Sequence, residues 1–302
     1  MTPSPVQKIP VAGLFHLGVL YLVWGSTYLA FRLAVGPGGD FQPLWLGALR
    51  LLPAALLLLG FALLRGLRVR LTVSEATRLL VSGVLLWALG NGLVLVASQH
   101  AYSGYAALMV GATPLWVAGL EAFLNRRLPS PLLITGLLIG LLGVGVLSAP
   151  HLDSGSASDL RASVMLFFGP IFWGAGLVYM QRRAVALDPL VVSGYQQLFG
   201  GIAFVLLIAL FGEAWTAPST TGWWSWLYLL IFGSLIAYTS FVLALRLLPA
   251  NLVATYAYVN PVIAVFLGWL ILREPLSLWT LAGACLVLLG VAFVFRGRLI
   301  QK

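Results

Sequence analysis

From Val11 to Phe31 the chain reads VAGLFHLGVLYLVWGSTYLAF, without one charged side chain. A helix needs about 20 such residues to cross the hydrocarbon core of a bilayer. The run is the first of ten. They lie near 11–34, 42–64, 76–99, 103–124, 131–149, 161–182, 190–211, 223–246, 251–271 and 277–296. Inside lipid every backbone N–H and C=O needs a partner, so only helices and closed barrels span. These runs are continuous, without the alternation of barrel strands, and so predict helices. Only 8% of the residues are charged, against roughly a quarter in soluble domains. Too few charges remain to cover a soluble surface of this size. The expected fold is an all-α membrane protein with ten transmembrane helices.

The connections are short and carry turn signals: GPGGD (36–40), LPSP (128–131), HLDSGSASD (151–159), LDP (187–189), EAWTAPSTTG (213–222) and LPAN (248–251). None is long enough for a soluble domain. The first run is too long for a signal peptide and lacks a clear cleavage site, so it reads as a retained helix. The single cysteine, Cys285, lies in an apolar run and has no disulfide partner within the chain.

The net charge of +9 does not point to nucleic acid, because the basic residues flank apolar runs as topology signals do. With the N-terminus inside, the inner side receives Lys8, Arg65, Arg68, Arg70, Arg78, Arg126, Arg127, Arg182, Arg183, Arg246, Arg296, Arg298 and Lys302. The outer side receives only Arg161 and Arg273. A missed span would move every later loop to the other side and destroy this asymmetry. Both termini are expected in the cytoplasm, and the protein in the inner (plasma) membrane.

The chain also repeats itself. ATPLWVAGLEAFLNRRLPS (112–130) matches VNPVIAVFLGWLILREPLS (259–277) at an offset of 147 positions. Pro114 falls on Pro261, Arg126 on Arg273, Gly47 on Gly194, Gly136 on Gly283 and Gly143 on Gly290. Residues 1–150 and 151–302 are therefore expected to be two five-helix repeats. Five is odd, so the second copy enters the membrane inverted. One position changes sign, Arg127 becoming Glu274. The first faces the cytoplasm, where two arginines are favoured; in the second, Glu274 is expected to neutralise Arg273 outside. Inverted repeats around a midplane site are a transporter arrangement.

At this point the sequence resembles the drug/metabolite transporter superfamily, EamA type. The resemblance rests on YLVWGSTYLAFRLAV (21–35), on the two proline-containing spans with the segments that follow them, and on FFGPIFWGAGLVYMQRRAV (167–185) opening the second half. It covers nearly the whole chain. It implies ten helices in a basket around a central cavity, the fifth and tenth peripheral, and export from the cytoplasm. The aromatic-rich spans look most like the YddG-type exporters of aromatic amino acids. The family's usual acidic residue after the fourth span is replaced by Arg127, while Glu274 keeps it in the second copy.

Polar and aromatic residues share faces on several spans. Tyr21, Trp24, Tyr28 and Arg32 do so on the first, Trp87, Asn91 and Ser98 on the third, Asn251, Thr255 and Tyr258 on the ninth. Such groups are costly in lipid and need partners or water. Together they suggest a cavity; singly, each reads equally as an interhelical hydrogen bond. The expected substrate site comprises Trp24, Tyr28, Trp87, Asn91, Tyr105, Trp173, Tyr238, Tyr258 and Asn260. Aromatic walls would stack on an apolar or aromatic side chain, and the amides would serve amine and carboxylate. Arg50 has two readings: contact with a substrate carboxylate, or a structural role in which it pairs with backbone carbonyls or snorkels outward. TGWWSWLYLL (221–230) reads as an interfacial belt and is left out of the site. Pro114 and Pro261 each remove a helical hydrogen bond, as paired hinges or as fixed kinks. GLLIG (136–140) offers a small surface for packing within the bundle or between protomers.

No central carboxylate pair appears, which favours facilitative transport. No metal or other cofactor is expected. The partners are a small-molecule substrate and membrane lipid; the sequence does not fix the oligomeric state. A membrane enzyme would want a motif such as HExxH, and the three histidines are scattered. A channel would want charge rings or a carbonyl filter. Export of lipophilic drugs or other metabolites is the alternative to amino-acid export.

Overall fold

The computed structural model describes residues 10–126, 131–153, 157–248, 253 and 255–300. Among these the chain is helical and carries no strand. Its helices in chain order are α1 (Val11–Val35), α2 (Pro43–Leu64), α3 (Val73–Ala97), α4 (Ser103–Leu124), α5 (Pro131–Asp153), α6 (Ala157–Arg182), α7 (Pro189–Phe211), α8 (Thr220–Leu247), α9 (Tyr256–Leu272) and α10 (Leu278–Ile300). Seven of them, α1 to α4 and α6 to α8, are long and apolar enough to cross a membrane. The other three contain shorter apolar stretches, Ile134–Leu147, Val259–Leu272 and Leu278–Phe293.

The helix starts follow from local chemistry. The Thr72 hydroxyl accepts from the Glu75 N–H at 3.2 Å while the Glu75 carboxylate accepts from the Thr72 N–H at 2.8 Å, a reciprocal cap for α3. Asp188 caps α7 through the Leu190 N–H at 2.9 Å, and Ser219 caps α8 through the Gly222 N–H at 3.1 Å. Neither α2 nor α4 has a side-chain cap on its own preceding residue. Both borrow one from more than 160 residues away. Glu213 accepts from the N–H groups of Leu44 (3.3 Å) and Trp45 (3.0 Å). Glu274 accepts from the Ser103 N–H (2.8 Å), the Ser103 hydroxyl (2.9 Å) and the Gly104 N–H (3.2 Å).

This corrects the expected role of Glu274. Among the described residues it forms no ion pair with Arg273; it is buried and stabilises the positive end of α4. The turn containing its counterpart Arg127 lies outside the described residues.

Helices α5 and α10 pack backbone to backbone. A Cβ on Gly290 would stand 2.5 Å from the Gly140 nitrogen and 2.7 Å from the Gly136 carbonyl; one on Gly143 would stand 2.6 Å from the Val287 nitrogen. Numbers rise along one helix as they fall along the other, so the pair is antiparallel. The GLLIG surface is thus used inside the bundle. Helices α2 and α7 pair in the same sense: Gly47 faces Phe204, and Gly194 faces Leu59.

Two of the long helices widen to π geometry, at Val84–Asn91 in α3 and Leu229–Ala237 in α8. Displaced by 147 positions the first range overlaps the second. π geometry inside α-helices is rare and is found frequently at functional sites. In α8 the Ser234 carbonyl accepts from the Gln197 amide at 3.3 Å.

The proline helices differ. In α4 the helix is interrupted at Ala112 and restarts with Pro114 in its first turn. The Thr113 hydroxyl donates to the Val110 carbonyl at 2.6 Å, satisfying the group that proline leaves open. Pro261 instead lies within the continuous α9, where its ring approaches Gly111 of α4.

Candidate functional site

A cavity of about 60 Å³ lies in the centre of the bundle. Trp24, Tyr28, Trp87, Asn91, Trp173 and Asn260 line it, six of the nine residues expected from sequence. They come from α1, α3, α6 and α9. Thr27, Phe31, Arg50 and Tyr256 complete its polar and aromatic wall. Trp24, Thr27 and Phe31 follow the i, i+3, i+7 spacing of one helical face, a signal that would have found Thr27 and Phe31.

Of the remaining three expected residues, two lie elsewhere. Tyr105 is buried in an apolar cluster and donates to the Ser163 hydroxyl at 3.1 Å. Tyr238 stands behind the wall: its ring is 4.8 Å from that of Trp87, and its hydroxyl donates to Gln196 at 2.6 Å. The side chain of Tyr258 is outside the described residues, as is Asn251; from α9, Tyr256 lines the cavity beside Asn260.

Ring packing shapes the centre. Trp173 lies edge-on to both Trp24 (6.1 Å between centroids) and Trp87 (5.9 Å). Trp24 also meets Phe241 at 5.0 Å and Tyr256 at 5.2 Å. Edge-to-face pairs of this kind contribute about 0.5–1.5 kcal/mol each beyond area burial. In the orientation that satisfies both its ends, the Asn260 amide nitrogen donates to the Tyr256 and Tyr21 carbonyls, each at 3.3 Å. The hydroxyls of Tyr21 and Thr255 hydrogen-bond to each other.

Arg50 is 3% exposed. Its Nε donates to the Ser234 hydroxyl at 2.7 Å, and its Nη1 reaches Asn91 Oδ1 at 3.4 Å. The two acceptors belong to α3 and α8. Asn91 ends the π segment of one, and Ser234 lies within that of the other. The guanidinium also stands 5.3 Å from each of the Phe31 and Trp87 rings. The structural reading of Arg50 through backbone carbonyls is not what these contacts show. Arg32 does behave that way, donating to the carbonyls of Ser98 (3.2 Å) and Gln99 (2.7 Å) at the end of α3.

A larger vestibule of about 360 Å³ adjoins this centre. Tyr256 lines both spaces, Trp24 the inner one and Phe241 the outer. These three rings form the partition between them. Arg78, Arg183 and Arg246 border the vestibule, with Thr113 and Pro114 of the interrupted α4 on its wall. Its volume falls in the range of small-molecule sites, whereas the central cavity is well below that range.

The outer belt is separate. Trp224 is exposed, and Trp226 donates to the Leu49 carbonyl at 3.1 Å. The loop after α7 meets the loop after α1: the Ser219 hydroxyl donates to the Gly38 carbonyl at 2.7 Å and that of Thr216 to the Asp40 carbonyl at 3.0 Å.

The profile of the EamA-like transporter family matches the chain twice, at residues 12–149 and 160–296. YedA of Escherichia coli strain K12, described as an uncharacterized inner membrane transporter, is 33% identical over 297 residues, spanning 97% of this chain and 92% of YedA. YvbV of Bacillus subtilis strain 168, described as an uncharacterized transporter, is 27% identical over 291 residues, spanning 95% of this chain and 92% of YvbV. A solved crystal structure superposes with a TM-score of 0.67 at 21% identity, covering 95% of this chain and 98% of the other. That last likeness speaks for the fold alone. The chain is an integral, multi-pass membrane transporter and belongs to the EamA-like transporter family.

Proposed function

We propose that the protein exports small metabolites with an apolar or aromatic side chain, amino acids foremost, by alternating access between two inverted five-helix repeats. The observation that carries this reading is the central cavity. The six rings of Trp24, Tyr28, Phe31, Trp87, Trp173 and Tyr256, with the amides of Asn91 and Asn260, give it the chemistry of an aromatic solute site. Lipophilic-drug export remains the second reading, since it draws on the same rings.

Inversion is supported by the antiparallel pairing of α5 with α10 and of α2 with α7, each helix being the other's counterpart at the 147-residue offset. Two such bundles can rock about a fixed central site. In this reading the vestibule is the cytoplasmic entrance of an inward-facing state, and the packed Trp24, Phe241 and Tyr256 rings would part to admit substrate. The opposite face is held shut by Glu213 and Glu274 of the second repeat, capping α2 and α4 of the first. In this scheme Pro114, at the interruption beside the vestibule, and Pro261, where α9 approaches α4, are the hinge positions.

The orientation has its own test. In intact cells, on a Cys285→Ser background, a Thr216→Cys variant is expected to react with a membrane-impermeant maleimide and an Arg183→Cys variant to react only after lysis. The reverse pattern would invert the export direction. The function is tested by counterflow in proteoliposomes. Preloaded tryptophan or phenylalanine should accelerate uptake of labelled phenylalanine in a saturable manner, and sugars or phosphorylated sugars should not. Acceleration by phosphorylated sugars alone would sink the reading.

A further inference from the structure

We infer that Arg50 is the anchor for a carboxylate on the transported solute. This rests on the central cavity being the transport site, and it names the group that site recognises.

The charge is unmatched. The chain has eight acidic residues, Asp40, Glu75, Glu121, Asp153, Asp159, Asp188, Glu213 and Glu274. Every one lies in a loop or within the first or last turn of a helix. Among the described residues none forms an ion pair with Arg50. A buried charge in lipid is costly unless it is paired, and such residues mark substrate paths by default. The neighbours of Arg50 lower the cost only in part. A guanidinium has five N–H donors. One makes a close bond, to Ser234, and one a long bond, to Asn91. Among the described residues Nη2 has no hydrogen-bond acceptor.

Architecture does not require the charge. The position 147 residues later is Gln197, which is also fully buried and also serves Ser234 in the π segment of α8. A neutral amide suffices there. What distinguishes Arg50 is that it borders the cavity, whereas Gln197 does not. The rings of Phe31 and Trp87, each 5.3 Å from the guanidinium, line the same cavity, and among the described residues no acid does. A carboxylate can engage two N–H groups of one guanidinium at once.

The route in has the same sign. Arg78, Arg183 and Arg246 border the vestibule, and no acidic residue lines it. Clefts of one charge raise the local concentration of the opposite ion. A carboxylate would thus be drawn in, pass the three-ring partition and neutralise Arg50, its side chain lying against the tryptophans.

The test is a binding series on the full-length protein in nanodiscs of zwitterionic lipid, read by quenching of tryptophan fluorescence. One set of ligands is phenylalanine, 3-phenylpropionate and phenylalaninamide; the other is leucine, 4-methylvalerate and leucinamide. We expect each carboxylate to bind at least tenfold more tightly than its matched amide. In Arg50→Gln the ratio should fall to about one, and Arg50→Lys should restore part of it. The ratio compares ligands on one preparation, so a partly folded variant does not distort it. Equal binding of acids and amides by the wild type would overturn the inference while leaving aromatic transport standing. A carboxylate preference confined to the leucine set would sustain Arg50 and defeat the aromatic reading. Retention of the full ratio in Arg50→Gln would assign the preference elsewhere and overturn the inference, and failure of both sets to bind would end both.

Discussion

A Gly290→Val variant is expected to lose most of its folded, monodisperse yield, and what survives should unfold several degrees below the wild type. The Cβ alone would meet the backbone nitrogen and Cα of Gly140 at 2.5 and 2.6 Å. Backbone atoms cannot rotate away as a side chain would, so α5 and α10 must separate. Overpacking a core costs about 1–3 kcal/mol when side chains can adjust; here the cost should reach the top of that range or exceed it. Native stability is itself only about 5–15 kcal/mol. The two glycine-rich helices lose their packing along the whole interface, because van der Waals contact is the main force between helices in lipid. Gly145→Val on α5 supplies the control, since a Cβ there meets nothing within 4 Å. Thermal unfolding followed by size-exclusion in detergent reads both. Equal melting of Gly290→Val and Gly145→Val would show that the close approach of α5 and α10 does not hold.

That approach was half legible in the sequence. The glycines of GLLIG and the matched pairs Gly136/Gly283 and Gly143/Gly290 showed that small residues recur, and not what they face. The same limit recurs elsewhere. Apolar runs marked α2 to within a residue, 42–64 against Pro43–Leu64, because lipid imposes a length on a span and a local rule suffices. The π segments left no such trace; Val84–Asn91 reads as ordinary apolar helix, though it packs closely, with Gly83 before it against the backbone of Gln196 and Gly90 against that of Trp173. Glu274 was read from its neighbour Arg273, but its partners are Ser103 and Gly104, some 170 positions away. Arg50 stayed ambiguous for the same reason: its acceptors, Asn91 and Ser234, lie on helices that no local pattern brings together. Tyr105 and Tyr238 show the converse case. An aromatic ring in a span can equally stand one layer behind the wall, where it fills volume and donates to Ser163 or Gln196.

Replacing Trp173 should change which solutes the protein prefers, and not only how well it folds. Trp173 touches both Trp24 and Trp87 and borders the central cavity, so it belongs to the wall on which an aromatic side chain would lie. Trp173 is partly buried; truncation to alanine also opens a void, at a stability cost of up to the roughly 3–5 kcal/mol of a fully buried Trp. A bare loss of activity would therefore say little. Trp173→Phe keeps most of the volume and an aromatic face, and the pair of variants separates packing from recognition. For Trp173→Ala, inhibition of labelled phenylalanine counterflow by tryptophan should weaken roughly two- to twelvefold more than inhibition by alanine. That range is one ring pair of about 0.5–1.5 kcal/mol expressed as a ratio of affinities. Trp173→Phe should retain at least half of that preference on a logarithmic scale. Both ligands are measured on the same liposomes, so the fraction of folded carrier cancels. If tryptophan and alanine weaken by the same factor, the ring is scaffolding that holds Trp24 and Trp87 apart. A preference lost in Trp173→Phe as fully as in Trp173→Ala would mean instead that the indole N–H, and not the ring face, meets the substrate.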